Sequence, residues 1–165
     1  MVYGNGMEIV CILDNVRSVH NVGSIFRTAD AAHVSKLYLT GITPKPHDRL
    51  GIVREPFRKV ALGAEKSVVW EKVPSASRLI TNLRKNGFLI ISAEQSSRSE
   101  NYRAYAKKVK PKKIAIIFGN EVSGVPVSIL KKSDRVVEIP MRGKKESLNI
   151  AVAFGIIVFE FQNYA

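Results

Sequence analysis

A chain of 165 residues can bury a core as one domain without disulfide or metal staples. Its formal net charge of +12 and pI near 10.0 favour a polyanion as partner, a solvated basic surface being the plain alternative. The lone cysteine, Cys11, excludes an intrachain disulfide, and the first ten residues lack the features of a secretory signal, so a reducing, cytoplasmic setting is expected.

In chain order, MEIVCIL (7–13) reads as the first strand. The Gly4-x-Gly6 pair before it lacks the third glycine and follows no strand, which excludes the usual dinucleotide turn. HNVGSIFRTADA (20–31) reads as a helix with Val22, Ile25, Phe26 and Ala29 on one stripe. Asn21 stands where an N-cap belongs. Gly23 and Arg27 are four apart and share a face, so the missing side chain at Gly23 would let a ligand approach the guanidinium; the alternative is that Arg27 pairs with Asp30. KLYLTG (36–41) is the next strand. TPKPHDRLGIVREPFRKVALG (43–63) is the longest irregular stretch, rich in proline and cations, and a loop of that length in a compact domain is often functional.

SVVWE (67–71) and FLIISAE (88–94) flank a second helix, SASRLITNLRKNG (75–87), in which Ala76, Leu79, Ile80 and Leu83 share a face, the serines offer an N-cap and Gly87 a stop. A run of cations at 98–113, Lys107, Lys108 and Lys110 among them, precedes KIAIIFG (113–119), and a second run lies at 131–145. In IIFGNEVSGVP (116–126) a strand opens into Gly119, Asn120, Glu121, Ser123 and Gly124 before Pro126 starts a helix. Two glycines expose backbone groups to a ligand, and a carboxylate in such a turn needs a cation or donor opposite it. RVVEIP (135–140) is the sixth apolar run. In IPMRGKKESLN (139–149), Gly143 permits a turn, and Ser147 and Asn149 are expected in the first turn of the last helix, Ser147 as a plain N-cap in the simplest case and Asn149 as an amide interrupting an apolar helix. The apolar run 150–159 is shorter than the roughly 18 residues of a membrane span and reads as a buried helix.

Continuous apolar strands interleaved with helices indicate an α/β fold, a mostly parallel sheet covered by helices on both faces. No G-x-x-x-x-G-K-[ST] and no G-x-S-x-G occurs, and His20, His33 and His47 are scattered without ligand spacing, so no metal is expected.

Three stretches together, N-x-G-x-x-x-R (21–27), G-N-E-x-x-G (119–124) and I-P-M-x-G-x-x-x-S-L-N (139–149), resemble the signature motifs of the SpoU (TrmH-like) RNA 2′-O-ribose methyltransferases of the SPOUT superfamily, over nearly the whole chain. The resemblance implies a C-terminal deep trefoil knot, one of the rare exceptions to unknotted chains, and a homodimer whose active site draws on both subunits. It implies S-adenosyl-L-methionine as methyl donor, contacted by Gly119, Ile139 and Leu148, with Met141 and Ala93 nearby. Arg27, Asn21, Glu121, Ser147 and Asn149 match the family's functional positions, for attack of a ribose 2′-hydroxyl of tRNA or rRNA on the sulfonium methyl. A guanidinium with a pKa above about 12 is a poor base, so Arg27 is expected to bind the adjoining phosphate and stabilise alkoxide charge. Glu121 is expected to hold Arg27 or Asn21, and the proton acceptor stays open. The chain is expected to be one such domain, residues 1–165, without a separate N-terminal RNA-binding domain, so that its cation runs and the stretch around Arg49, Arg54 and Arg58 grip the RNA. A non-catalytic RNA-binding or ribosome-assembly factor of the same fold is the alternative, and a base-nitrogen methyltransferase a more distant one.

Overall fold

The apolar runs are continuous where both sides of a strand are buried, as in the central strands. Along β1 (Glu8–Asp14), Ile9, Cys11 and Leu13 join one core while Val10 and Ile12 join the other. The computed structural model describes residues 6–164, so Gly4 of the early glycine pair lies outside the described residues. The remaining strands are β2 (Lys36–Thr40), β3 (Trp70–Val73), β4 (Leu89–Ala93), β5 (Glu100–Asn101), β6 (Lys113–Phe118) and β7 (Arg135–Glu138). They form one seven-stranded sheet in the order β3-β2-β1-β6-β4-β7-β5, and every pairing between them is parallel. Five of the strands match the apolar runs read as strands, while β3 begins at Trp70 and shares only Trp70 and Glu71 with the run SVVWE, whose Val68 packs in the core before the strand starts. The two-residue β5 is too short to leave a pattern in the sequence.

Helices cover both faces. α1 (Val19–Ala31), α2 (Glu55–Ala61), α4 (Tyr102–Lys108) and α6 (Ile150–Gln162) pack with the Ile9, Cys11 and Leu13 side of the sheet. α3 (Ala76–Lys85) and α5 (Val127–Leu130) cover the other, with Val10, Ile12, Ile90, Ala115 and Ile117. The two expected stripes are buried as read, Val22, Ile25, Phe26 and Ala29 on α1 and Ala76, Leu79, Ile80 and Leu83 on α3. Each large aliphatic among them contributes about 1.5–3 kcal/mol by leaving water. Ser75 caps α3 by accepting from Arg78 N, and Gly87, at φ +83°, turns the chain out of it.

Four expectations change. The stretch 43–63 is not irregular throughout: it contains α2, which starts with Pro56 in its first turn, where a missing N–H costs nothing. Gly23 faces α2 rather than a ligand, since a Cβ there would lie 2.6 Å from Val60 Cγ2 and 2.9 Å from Phe57 O. Ser18, not Asn21, caps α1, its side chain accepting from Asn21 N. α6 is buried on one side only: Phe154, Ile157, Val158 and Phe161 are in the core, while Val152 is 51% and Phe159 46% exposed.

Registry sets the level of the strand ends. Leu13 pairs with Phe118, Phe118 with Ala93, and Ala93 with Val137, so β1, β6, β4 and β7 end side by side. Loops leaving that edge form the candidate site, as parallel sheets favour.

Candidate active site

A cleft of about 290 Å³ opens at the carboxyl ends of β4, β6 and β7. Its floor is apolar, from Phe118, Val137, Ile150, Ala153 and Ile157, and two loops wall it, residues 119–125 after β6 and 139–148 after β7. The first loop is folded back on itself. Asn120 N donates to Gly124 O at 3.1 Å and Gly124 N to Asn120 O at 2.9 Å. Asn120 Oδ1 accepts from Val122 N and Ser123 N, and its Nδ2 donates to Asn15 O at 2.8 Å. Closure this tight excludes a side chain at 119, where a Cβ would lie 2.3 Å from the Gly124 carbonyl, and Gly124 itself sits at φ +65°.

The second loop is held differently. Among the described residues, no backbone hydrogen bond involves residues 140–148. They receive one bond from the body of the protein, from Gln95 Nε2 to Glu146 O at 2.6 Å. Its neighbour Glu94 holds the opposite wall: Oε2 accepts from Val125 N and Oε1 from Gln95 N, each at 2.8 Å. Two consecutive residues at the end of β4 therefore tie both walls of the cleft to the sheet.

Glu121 lies on the rim and reaches back to α1. Its Oε2 accepts from Arg17 N at 2.9 Å, and its Oε1 from Ser18 N at 3.0 Å and Asn21 Nδ2 at 3.1 Å. Burial alone would push this carboxyl up, but the Arg17 and Ser18 amides and the Asn21 side chain outweigh it and hold the pKa below the usual glutamate value. Asn21 Oδ1 accepts in turn from Asn149 Nδ2 at 3.1 Å. The three motif stretches are thus joined, Glu121 to Asn21 to Asn149. Asn149 is neither inside the last helix nor unpaired: it is the N-cap of α6, with Oδ1 accepting from Ala151 N at 2.8 Å. Ser147 precedes that helix and lines the cleft instead of capping.

Gly119, Ile139, Leu148, Met141 and Ala93 all line the cleft. Arg27 does not. It is exposed on α1 and, among the described residues, makes no ion pair with Asp30 or with Glu121. The donor set suits a nucleoside carrying a cationic tail: aliphatic walls for a flat heterocycle, backbone groups at Met141 and Leu148 that make no hydrogen bond among the described residues for its edges, and carboxylates at Glu94 and Glu138 for positive charge. Among the described residues no cluster of His, Cys, Asp or Glu is placed to hold a metal. Glu94, Gln95 and Asn15 belong to the site without any signal in the sequence, because the Glu94 and Gln95 tethers join residues 31 and 51 positions apart.

A parallel α/β sheet whose carboxyl edge carries a glycine-walled cleft is the architecture of a nucleotide-cofactor enzyme. The chain belongs to the SpoU rRNA Methylase family, whose sequence pattern matches residues 8–159. It is 32% identical over 155 residues to the tRNA (guanosine(18)-2′-O)-methyltransferase of Aquifex aeolicus, covering 94% of this chain and 69% of that protein. To the 23S rRNA (guanosine-2′-O-)-methyltransferase RlmB of Ralstonia nicotianae it is 34% identical, covering 94% of this chain but 58% of that protein. The AdoMet-bound rRNA methyltransferase from Sinorhizobium meliloti superimposes with a TM-score of 0.82 at 30% identity, over 94% of this chain and 56% of that one. The A. aeolicus TrmH/SpoU tRNA modifying enzyme does so with a TM-score of 0.80 at 31% identity, over 97% and 76%. Among the described residues no helix is long and apolar enough to cross a membrane.

Proposed function

We propose that the protein is an S-adenosyl-L-methionine-dependent methyltransferase acting on a ribose 2′-hydroxyl of tRNA or rRNA. The observation that carries this is the linkage Glu121–Asn21–Asn149, which gathers three separate stretches of polar sequence around one cleft. The names of the relatives and the net charge of +12 support an RNA substrate.

Gly119, Ile139 and Leu148 would hold the donor, with Met141 and Ala93 beside it. When bound, the donor supplies a methyl group on a positively charged sulfur, and the ribose oxygen that takes it loses a proton. Around that exchange the chain's own residues act by position. Glu121, with both oxygens occupied by donors, is a positioning residue that fixes Asn21 and the entry to α1 rather than a base. Asn149 ties the start of α6 to the same point, and Ser147 lines the cleft. Arg27 is assigned the phosphate and the developing alkoxide charge. Because it does not line the cleft of its own chain, its entry from a second copy, and with it a homodimer, is part of the proposal. The exposed Val152 and Phe159 on α6 offer an apolar face for that pairing. The trefoil knot belongs to it as well, supported by a chain that leaves β7, outside β4, and returns past the β6 loop to start α6 beside Asn21.

The test is transfer of labelled methyl from the donor to separate tRNA and rRNA pools taken from cells lacking the protein, followed by nucleoside analysis. A ribose-methylated nucleoside is the expected product. A base-methylated one, or none, overturns the proposal.

A further inference from the structure

Residues 41–54, which join β2 to α2, are pinned at both ends. At the base, Lys72 Nζ donates to the carbonyls of Gly41 and Thr43 at 2.5 and 2.6 Å, and Asn15 Oδ1 accepts from Ile42 N at 3.2 Å. At the far end Asp48 closes a turn. Its Oδ1 accepts from Leu50 N at 2.8 Å and Ile52 N at 3.0 Å, its amide donates to Ile52 O at 2.8 Å, and its carbonyl accepts from Gly51 N. Gly51 occupies φ +78°, and His47 and Val53 pair as an antiparallel bridge below the turn.

What this rigid turn presents is apolar. Leu50 is 83% exposed and Ile52 61% on the turn itself, and Ile42, at the base of the loop, is 65% exposed. Aliphatic side chains held out on an ordered tip add nothing to the core, so their use lies in contact with another molecule. The surroundings say which kind. Arg49 adjoins the tip and Lys45 stands at the loop's near end, neither in an ion pair among the described residues, while the Asp48 carboxylate is taken up by backbone amides. The second copy proposed above meets the chain through the apolar face of α6, and its own excess of cations would leave Arg49 and Lys45 without counter-charge. An RNA would not: its phosphates meet the cations and a base face meets the leucine. The loop also leaves the same edge of the sheet as the cleft. β2 is two strands from β6, about 10 Å at the usual 4.8 Å spacing.

We propose that Leu50, on its Asp48-locked turn, is a wedge that inserts against an unstacked base of the RNA while Arg49 and Lys45 hold the flanking phosphates. It rests on the RNA substrate proposed above and adds the element that opens that RNA beside the cleft.

The experiment titrates a stem-loop RNA carrying 2-aminopurine in its loop with the full chain and with Leu50→Ala, Leu50→Phe and Arg49→Ala, with methyl transfer to tRNA and rRNA pools followed alongside. The unaltered protein is expected to raise 2-aminopurine fluorescence as the base unstacks. Leu50→Ala should bind about tenfold more weakly, the loss of one buried leucine contact, without the rise and with an unchanged salt dependence. Leu50→Phe should restore both. Arg49→Ala should keep the rise and lower the salt slope by about 0.7–0.9. Because Leu50 is exposed, an unchanged melting temperature certifies the fold of each variant. If Leu50→Ala binds and unstacks like the unaltered protein while transfer proceeds, the wedge is wrong and the methyltransferase stands. If the variant changes the sedimentation of the protein instead, the tip seats on a second copy and the proposal falls. RNA binding with unstacking but no transfer would leave the wedge and remove the activity; no RNA binding at all would remove both.

Discussion

Glu121 shows how one side chain can be decisive without touching a reacting atom. It accepts two amides at the start of α1 and the Asn21 side chain, so Glu121→Gln would set an amide N–H2 against donors. A stability loss of about 1 kcal/mol is expected, at the modest end because the carboxylate is solvent-exposed. Methyl transfer should fall with it, and full activity in Glu121→Gln would contradict the positioning role. The pH dependence has a definite sign. A carboxyl whose folded pKa lies below its unfolded value stabilises the fold above the ordinary glutamate value, about 4.3. That contribution is lost as pH falls through the lower folded value. Melting temperature measured from pH 6 downward, to about pH 3, should therefore drop more steeply for the unaltered protein than for Glu121→Gln. Glu94 and Gln95 make a separate test of the cleft. With the Gln95 bond to Glu146 removed, residues 140–148 have no other hydrogen bond to the body among the described residues, and the ordering cost then falls on ligand binding. Gln95→Ala should weaken binding of S-adenosylhomocysteine in calorimetry by about tenfold, a lost hydrogen bond of about 1 kcal/mol plus that cost, with little change in melting temperature. Equal affinities would show that the tether is idle.

Among the elements, the α1–α2 contact is the one that a single atom can break. A Cβ at Gly23 would meet the Phe57 carbonyl at 2.9 Å as well as the Val60 methyl, and backbone cannot step aside as a side chain can. Gly23→Ala should cost about 1–3 kcal/mol by overpacking, whereas Gly143→Ala, with nothing within 4 Å and no positive φ, should leave urea unfolding nearly unchanged. The same pair of helices marks how far the sequence can be read. α1 and α3 were legible because a stripe of four apolar residues repeats at helical spacing, though only for α3 does the sequence reading find the serine that caps it. α2 was not, since its seven residues bury only Phe57 and Ala61, its cap is the side-chain-silent Arg54, and its end turns on Leu62 in the left-handed region, where a glycine would have been the signal. At α6 the structure moves the two motif residues, Ser147 and Asn149, out of the first turn in which the sequence sets them. Asn149 satisfies its own amide as a cap, a role that the apolar run after it does not distinguish from an interruption inside the helix. The motif residues lining the cleft could be named because a resemblance carries identity position by position. The tethers from Glu94 and Gln95 depend on tertiary contact alone.

At the scale of the whole molecule, the sheet separates two basic regions that look alike along the chain. The cations that end α4 lead into the amino end of β6 at Lys113, while the cleft opens at its carboxyl end, beyond Phe118. Six residues at about 3.3 Å each put about 20 Å between those edges. Lys108 is also engaged, by Glu100 and by the Tyr105 ring, and Lys110 lies over Tyr164. Arg142, Lys144 and Lys145 stand instead on the loop that walls the cleft, exposed and, among the described residues, without ion pairs. Phosphates drawn to the carboxyl edge would meet these three together with Arg49 and Lys45. Reversing Arg142, Lys144 and Lys145 to Glu should then lower the slope of log binding constant against log salt by roughly 0.7–0.9 for each phosphate released. Reversing Lys107, Lys108 and Lys110 should lower it less. RNA binding measured without methyl donor keeps the cleft's own occupancy out of the comparison. A larger drop from the second set would move the RNA to the amino edge and away from the cleft.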